Sequence, residues 1–410
     1  AAVRAGAGAV TVTATDAATG RDLRGLCAQA LLPDPSAAPR RCTKGAAVTL
    51  DAVPAGDVTV AVWTRPHRYY VGAAVLAAVP PAGRVAVAVA LGRGGVITTA
   101  VTAGDAPVAD TSVEAFNTAG PRTHQTWAVS RDNGAAATPP LPPGTYRLFA
   151  VPPAGTDLGR QWVGPLGGTG REHLAATVTV HAGQRVAGPR VRLDPAGAVR
   201  GTITTPAGAD VPAWVHLRTE RGWDAADGVA ADDRGAFTLD GLGPYEWALR
   251  FAGTGFAHQW AGGAADSAAA TGVPVRAGGT TEVALRAVPG ARVRGALRPA
   301  GPGENLRYVE VLDAATGARL GMTNQDADIT DYAVMALGGG SVKLRWTEVL
   351  GNGPRTTDGW YDRAATFADA TAVRLPRGGG TTVDITVGGG PAASATPPAG
   401  AAPAGTARRR

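Results

Sequence analysis

Short runs of alternating apolar and polar residues fill most of this chain, and a period of two residues is typical of half-buried β-strands. One such run recurs four times, as a tight turn that leads into an alternating strand: 53–60, 141–148, 242–249 and 337–344. No window shows the apolar spacing of a helix face, and glycine or proline interrupts each window long enough for a helix. The pattern predicts an all-β protein.

Two more features recur around each turn strand. Apolar runs typical of an opening strand precede it at 10–13, 96–99, 199–203 and 293–297. An aromatic residue followed by a small or turn-forming residue comes after it, at Tyr70, Trp162, Trp260 and Trp360. Closing strands are predicted at 177–180, 273–275 and 283–285. Because short strands with regularly spaced turns favour sandwiches, we expect four tandem Ig-like or transthyretin-like β-sandwich domains.

The recurring features place boundaries near residues 93, 197 and 291. We expect sandwich modules at 8–93, 94–196, 197–290 and 291–388. The segment 389–410 is rich in proline, alanine and glycine, and we expect it to be a disordered tail. One turn departs from the repeat, because Tyr245 stands where the other copies carry glycine. If that turn needs a positive φ, it must be reshaped there.

Charge and hydropathy disfavour two classes of partner. The formal net charge is +6, and the one basic run is Arg408, Arg409 and Arg410. Nucleic-acid binding favours a clustered basic stripe with stacking aromatics, so no nucleic-acid partner is expected. No apolar stretch of the chain approaches the roughly 20 residues that span a bilayer, so no membrane span is predicted. The first residue is not methionine, which fits a mature secreted chain or a trimmed one.

Cys27 and Cys42 are the two cysteines of the chain, and both lie in the first module. Neither belongs to a CxxC motif or a Cys/His cluster, so a metal site is disfavoured. An even pair on neighbouring strand-like segments favours one disulfide in an oxidising compartment. Two free buried thiols in a cytosolic protein are the alternative. We expect the disulfide, and with it a secreted or cell-envelope location.

The repeated segments resemble a known group of modules. The residues that carry the resemblance are the turn strand at 141–148, the run at 233–242 and the Gln-Trp pairs at 161–162 and 259–260. They resemble the carboxypeptidase regulatory-like and Cna B-type modules of secreted actinobacterial proteins. The resemblance implies a transthyretin-like sandwich, a class grouped with starch-binding-like folds. It also raises a Lys–Asn cross-link, which we do not expect, because Lys44 and Lys343 sit mid-module.

Candidate catalytic groups do not assemble into a motif. The six histidines show no metal-ligand spacing, and the serines lack the strand-to-helix context of a nucleophile elbow. Aspartates cluster at 224–233 and at 326–331 without EF-hand spacing, so solvated turns are favoured over calcium sites. Two facing carboxylates of a glycosidase cannot be excluded by spacing, but no amylase motif is present. We expect no enzyme activity, no metal and no cofactor.

Tryptophan is the residue type left to explain. Trp162, Trp260 and Trp360 share the repeated position with Tyr70, where packing in the sandwich core is favoured over a ligand platform. Trp214 and Tyr308 differ, because Val215 and Val309 belong to the inward set of their strands. Alternation then turns outward Trp214, His216, Tyr308 and Glu310. Trp127 and Trp223, on a strand edge and in a loop, join Trp214 and Tyr308 as candidate ligand-binding residues.

Three functions remain in competition. The first is a secreted, non-catalytic binding and spacer protein that presents aromatic side chains to an extracellular polysaccharide. The second is a structural spacer or protein-adhesion module that contacts a surface protein and has no affinity for glycans. The third is an accessory part of a polysaccharide hydrolase of the amylase type. Flat exposed aromatic rings would separate the first from the second.

Overall fold

The computed structural model describes residues 7–32, 38–65, 69–118, 125–206, 213–217, 228–253, 256–298, 306–323, 326–327, 330–350, 355–364 and 366–387. Within these ranges the chain is all-β, with strands, turns and two short 3₁₀ turns, as the alternation predicts. Strands pair only with partners nearby in sequence, which divides them into four groups that we call units 1 to 4. None of the described segments forms a helix that is long and apolar enough to cross a membrane.

The strands of unit 1 are Ala7–Asp16, Leu26–Leu31, Arg40–Cys42, Ala47–Pro54, Gly56–Thr64, Ala73–Val79 and Arg84–Leu91. Those of unit 2 are Val96–Ala103, Ala106–Pro107, Ser112–Asn117, Gln125–Val129, Ala135–Ala137, Gly144–Val151, Gln161–Val163, Gly168–Thr169, Thr177–Val180, Arg185–Ala187 and Val191–Leu193, with a 3₁₀ turn at Glu172–Leu174.

The strands of unit 3 are Gly197–Thr204, Ala213–His216, Gly228–Ala230, Ala236–Leu242, Glu246–Ala248, Arg250–Gly253, Phe256–Trp260, Gly272–Pro274 and Thr280–Arg286. Those of unit 4 are Ala291–Arg298, Leu306–Asp313, Arg319–Met322, Asp326–Ala327, Asp331–Ala336, Ser341–Leu350, Arg355–Trp360, Val373–Arg374, Gly380–Thr382 and Ile385–Thr386, with a 3₁₀ turn at Tyr361–Arg363.

Units 1, 2 and 4 each contain two sheets, an opening sheet and a turn-strand sheet, and in unit 3 the strands Glu246–Ala248 and Gly272–Pro274 pair as a third, two-stranded sheet. In the opening sheet the first strand lies in the centre, antiparallel to the strand that precedes the repeated turn and parallel to the last strand of the unit. In the turn-strand sheet the strand after the turn lies between its neighbours in an antiparallel ladder. The predicted opening strands and turn strands are confirmed. Of the predicted closing strands, 283–285 lies in the last strand of unit 3 and is confirmed, whereas Thr177–Val180 and Gly272–Pro274 pair with the turn strand instead.

Alternating apolar side chains from both sheets fill the space between them. In unit 1, Val10 and Val12 of the opening strand pack in one buried cluster with Val58, Val60 and Val62 of the turn strand. Units 2 and 4 contain equivalent clusters, and so does unit 3. The opposite face of each turn-strand sheet, which we call the outer face, points away from this core.

The disulfide between Cys27 and Cys42 is present. The two residues lie directly opposite each other on neighbouring strands, with Cα atoms 4.0 Å apart. The strand Arg40–Cys42 pairs with the chain only on one side, so the bond fastens an edge of the turn-strand sheet. A closed loop of this size stabilises the folded unit by about 3 kcal/mol in the chain-entropy account.

The turn at Tyr245 keeps an ordinary backbone. At this position of the turn Gly56 adopts a positive φ of 111°, whereas Gly144, Tyr245 and Gly340 do not adopt positive φ. The third copy therefore tolerates a side chain without strain, and Tyr245 is free to make contacts that glycine could not. The proposed tail at 389–410 lies outside the described residues.

Candidate functional site

The outer face of the turn-strand sheet carries the same geometry in units 2, 3 and 4. Residues that lie directly opposite each other on antiparallel strands project to the same face. Register places three such residues side by side in each unit, and these rows are Glu114, Phe149 and Trp162; His216, Arg250 and Trp260; and Glu310, Arg345 and Trp360. The repeated tryptophans therefore share one structural position.

These tryptophans are buried, but they do not fill the space between the sheets as expected. Trp260 packs with Ala248 and Ala270, and Trp360 packs with Leu312 and Ala370, in clusters separate from the cores of their units. Ala270 and Ala370 belong to the segment that comes after each tryptophan in sequence and covers the outer face. The aromatic thus anchors that segment to the sheet.

Trp162 is packed in the same way, between the sheet and the segment that follows it, but within a larger apolar cluster. Its ring centroid lies 5.4 Å from that of Phe116 and 5.1 Å from that of Phe149. Ala175, from the segment after Trp162, completes the cover. The cluster is continuous with the core of unit 3 and not with that of unit 2. Trp162 therefore lies where two units meet.

Tyr70 is also buried but occupies a different position. It pairs in an isolated bridge with Arg93 and packs in the core of unit 1. Its hydroxyl donates a hydrogen bond to Asp16 Oδ2 at 2.5 Å. Tyr70 is therefore buried like the three tryptophans, but it does not share their position in the strand register.

Trp214 presents the most open aromatic ring among the described candidates. Its side chain is 39% exposed on the outer face of unit 3. Its partners across the ladder are Ala230 and Ala252, so small side chains flank the indole. The ring stacks beside His216, with centroids 6.5 Å apart and planes 18° from parallel. Trp214 thus presents a flat, partly exposed apolar surface.

His216 was expected to point outward and does so, but it is buried. It shares the outer face with Arg250, which is 1% exposed and lies with its Nη2 atom 2.8 Å from His258 Nδ1. The polar groups beside Trp214 are therefore packed into the unit and do not stand in solvent.

Tyr308 occupies the position in unit 4 that Trp214 occupies in unit 3. Trp214 lies two residues before His216, and Tyr308 lies two residues before Glu310; His216 and Glu310 are the equivalent residues of the two rows. Tyr308 is half-buried, opposite Thr347. Glu310 is buried, against the expectation of exposure, and forms ion pairs with Arg319 and Arg345. Opposite charges on the same face explain how a carboxylate is accommodated there.

The three candidate ligand-binding residues that the structure describes do not converge. Trp127 lies half-buried in unit 2, where its ladder partner is Glu114. Trp223 lies outside the described residues. Trp214 and Tyr308 stand in different units. Among the described candidates, the arrangement offers one exposed indole surface on unit 3 and not a continuous aromatic platform.

Sequence reasoning missed the residues that join the units. At the junction of units 2 and 3, the Tyr245 hydroxyl lies 2.7 Å from Gln161 Oε1 and 2.5 Å from Asp194 Oδ2. Burial, and then the hydrogen bond and negative charge of Asp194, raise the pKa of Tyr245, so the hydroxyl stays protonated as a donor. The residue that breaks the repeated turn motif is thus the one that binds the preceding unit.

The backbones of units 2 and 3 also touch directly. Arg160 N donates to Gly241 O at 2.8 Å, and Gly243 N donates to Arg160 O at 2.9 Å. A Cβ atom at Gly159 would lie 2.4 Å from the Cα atom of Gly243. Glycine at both positions is required for this approach. An ion pair between Arg171 and Glu246 flanks the contact.

The junction of units 3 and 4 depends on Gln259. Its side chain is 1% exposed, and its amide holds the linker residue Val288 by both backbone groups. Oε1 accepts from Val288 N at 2.9 Å, and Nε2 donates to Val288 O at 3.2 Å. Gln161 and Gln259 each directly precede a repeated tryptophan. In the Gln-Trp motif the glutamine therefore contacts the next unit or its linker, and the tryptophan holds its own unit's covering segment.

The junction of units 1 and 2 uses a charged group. Arg93 Nε lies 3.2 Å from Asp16 Oδ2, and the guanidinium stands 5.6 Å from the centroid of the Tyr70 ring. The hydrogen bond from Tyr70 is the largest cause that lowers the pKa of Asp16 to about 2, and amide groups of Ala18 and Thr19 add to it. Gly95 exchanges two backbone hydrogen bonds with Leu141 of unit 2. All three linkers are thus held by side chains.

Comparison with known proteins leaves the family open. No family model matches the chain. No curated protein sequence matches it either. Solved structures with some likeness include the Bacillus anthracis TIE protein, at 10% identity and a TM-score of 0.20, covering 90% of this chain and 69% of that one. The minor pilin of Streptococcus agalactiae is similar at 15% identity and a TM-score of 0.21, covering 48% of this chain and 97% of that one.

A third similar structure is the major pilin SpaD of Corynebacterium diphtheriae. It matches at 10% identity and a TM-score of 0.18, covering 70% of this chain and 99% of that one. Likeness at these scores carries no argument about function. The fold assignment therefore rests on the strand pairing of this chain, and the resemblance to carboxypeptidase regulatory-like and Cna B-type modules stays a prediction.

Proposed function

We propose that the chain is a non-catalytic extracellular spacer and adhesion protein, in which four sandwich domains are held at fixed angles to one another. The observation that carries the proposal is the junction of units 2 and 3. There, an apolar cluster of unit 2 is continuous with the core of unit 3, and Tyr245 bonds back to Gln161 and Asp194. A flexible linker would need none of these contacts.

The extracellular location is supported by the disulfide of unit 1, since such bonds persist in oxidising compartments. The proposed domain boundaries near 93, 197 and 291 are supported by sheets whose strands come from one stretch of sequence each. Partners of a spacer of this kind are surface proteins or polysaccharides outside the cell.

Trypsin digestion of the folded full chain tests whether the linkers are held. Arg93 and Arg286 are exposed and lie at or beside linkers, so they are cleavage sites if the backbone there can open. We expect both bonds to resist cleavage until the units unfold. Rapid cleavage at both sites in the folded protein would overturn the proposal.

A Gln259→Ala variant sharpens this experiment. Loss of the amide that holds Val288 should accelerate cleavage after Arg286, while cleavage after Arg93, whose junction uses other side chains, stays unchanged. Mass spectrometry of the early fragments separates the two sites. Equal rates at Arg286 in the variant and the parent would show that Gln259 does not hold the linker.

A second candidate function is binding of an extracellular polysaccharide by unit 3. It is favoured by the exposed indole of Trp214 and its small neighbours Ala230 and Ala252. The apolar face of a pyranose ring stacks well on such a surface. The half-buried state of Tyr308 and Trp127 places this candidate behind the spacer function.

Retention on insoluble polysaccharides tests the second candidate. Trp214→Ala should abolish retention, and Leu166→Ala, which removes an 88% exposed apolar side chain elsewhere, should leave it unchanged. The β-sheet signal in circular dichroism should be the same in all three proteins. Retention of the Trp214→Ala variant equal to that of the parent would remove Trp214 as a glycan platform.

A further inference from the structure

The first and last strands of each unit form a parallel pair in the opening sheet. In a parallel pair, the beginning of the first strand and the end of the last strand lie at opposite ends of the ladder. The chain therefore enters a unit at one end of this ladder and leaves it at the other. A pull on the two ends of the chain acts along the strands that carry the hydrogen bonds.

We propose that the protein bears tension between the structures it connects, and that the parallel pair of each unit is the element that resists it. The inference rests on the proposed spacer function. Force along the strands loads all hydrogen bonds of the ladder together, whereas force across a hairpin breaks them one after another. Forced unfolding is limited by the rate of barrier crossing, so the length of the loaded ladder sets the resistance.

The ladders differ in length between units. Unit 1 has eight consecutive parallel pairs, from Ala9↔Arg84 to Asp16↔Leu91. Unit 3 has seven, from Ala198↔Thr280 to Thr204↔Arg286. These uninterrupted ladders should give units 1 and 3 the highest resistance to force.

The ladders of units 2 and 4 are divided. Unit 2 has two runs of three pairs, separated by a stretch that contains Pro189, which has no N–H group to donate. Unit 4 has a run of three and a run of two. Between these runs, Ala296 N donates to the side chain of Asp384 and not to a backbone carbonyl. Units 2 and 4 should therefore unfold at lower force.

Unit 1 can be recognised in a force experiment by its disulfide. Cys27 and Cys42 are separated by 15 positions in sequence, and the residues between them cannot extend while the bond is intact. At about 3.6 Å per extended residue, reduction should lengthen the unfolding step of unit 1 by about 5 nm. No other unit contains a disulfide, because the chain has two cysteines.

Single-molecule pulling of the full chain from its two ends, with and without reductant, tests the proposal. The step that lengthens with reductant should be one of the two that occur at highest force. If that step is among the two weakest, the proposal is overturned. That result would leave the held linkers untouched, since trypsin cleavage tests those separately.

A pair of neighbouring substitutions in the last strand of unit 1 isolates the ladder. Ala9 N donates to Gly83 O, and Ala17 N donates to Leu91 O, so odd-numbered residues of this strand face the opening strand. Val87 N–H therefore lies in the ladder, and Ala88 N–H points away from it. Proline removes the N–H group at either position.

Val87→Pro should lower the unfolding force of the disulfide-marked step, or remove that step if the unit fails to fold. Ala88→Pro should leave the force close to that of the parent. Val87→Ala controls for loss of the valine side chain, which packs against the core of unit 1. An equal fall of force in the Ala88→Pro variant and in a folded Val87→Pro variant would contradict the proposed role of the ladder.

Discussion

At the scale of single residues, Tyr245 shows what the sequence predicted and what it could not. The sequence marks it as a departure from the repeated turn, but the partners of its hydroxyl lie 84 and 51 positions away, in the preceding unit and its linker. No local pattern contains such contacts. A deviation from a repeat can thus be found from the sequence, and its meaning requires the packing of two units against each other.

Tyr245→Phe removes the hydroxyl and leaves the ring in place. We expect a loss of about 1–3 kcal/mol in the free energy of unfolding, because Gln161 and Asp194 lose a partly buried hydrogen-bond partner. Tyr332→Phe is the matched control, since its hydroxyl donates to Val383 O within unit 4. Calorimetry should show that the first variant changes the unfolding of units 2 and 3, and the second that of unit 4. The same transition affected by both variants would contradict this assignment.

Asp16 makes the junction of units 1 and 2 sensitive to acid. Its pKa in the folded protein is about 2, below the ordinary 3.8, chiefly because Tyr70 donates a hydrogen bond to it. A lowered folded pKa means that the charged carboxylate contributes stability at pH values above about 4. This contribution is lost as the pH falls from about 4 to about 2. The linker residue Arg93 loses its ion-pair partner over the same range.

Asp16→Asn should flatten this acid dependence. Thermal unfolding followed between pH 2 and 6 should show a steeper acid loss of stability in the parent than in the variant. Asp51→Asn, at an exposed position of unit 1, should retain the slope of the parent. Identical slopes in the Asp16→Asn variant and the parent would show that Asp16 does not link protonation to folding.

At the scale of elements, two tryptophans on one face separate packing from exposure. Trp260→Ala leaves a cavity between the sheet and its covering segment and should destabilise unit 3 by about 3–5 kcal/mol. Trp214→Ala changes an exposed side chain and should stay within about 0.5 kcal/mol of the parent. Urea unfolding of both variants measures the difference. Equal destabilisation would mean that Trp214 is packed in solution.

Alternation predicted which strand residues face the core and which face away. It correctly placed Val215 inward and Trp214 outward, and it gave His216 and Glu310 the right face. It could not reveal that the outer face is itself covered. That cover comes from neighbouring charged side chains and from irregular segments with no period, such as the one that carries Ala270 over Trp260.

At the scale of the whole molecule, the repeat predicted a chain of four all-β units. The repeat could not reveal how units are joined, because each junction uses different chemistry: an ion pair at Arg93, a tyrosine at Tyr245 and an amide at Gln259. The Gln-Trp motif was visible in the sequence, but the different contacts that its two residues make were not. The glutamine contacts the next unit or its linker, and the tryptophan holds its own unit together.

The most direct test of the account is the distribution of distances across the junction of units 2 and 3. Spin labels at cysteines introduced for Asp132 and Arg234, both exposed on hairpin turns of their units, report on this junction in the full chain. A second pair, at Asp132 and Ala182, lies within unit 2 and gives the width expected without motion between units. We expect the two distributions to be equally narrow, and the first to broaden in the Tyr245→Phe variant. A broad distribution across the junction in the parent protein would contradict the central claim that the units are held at fixed angles.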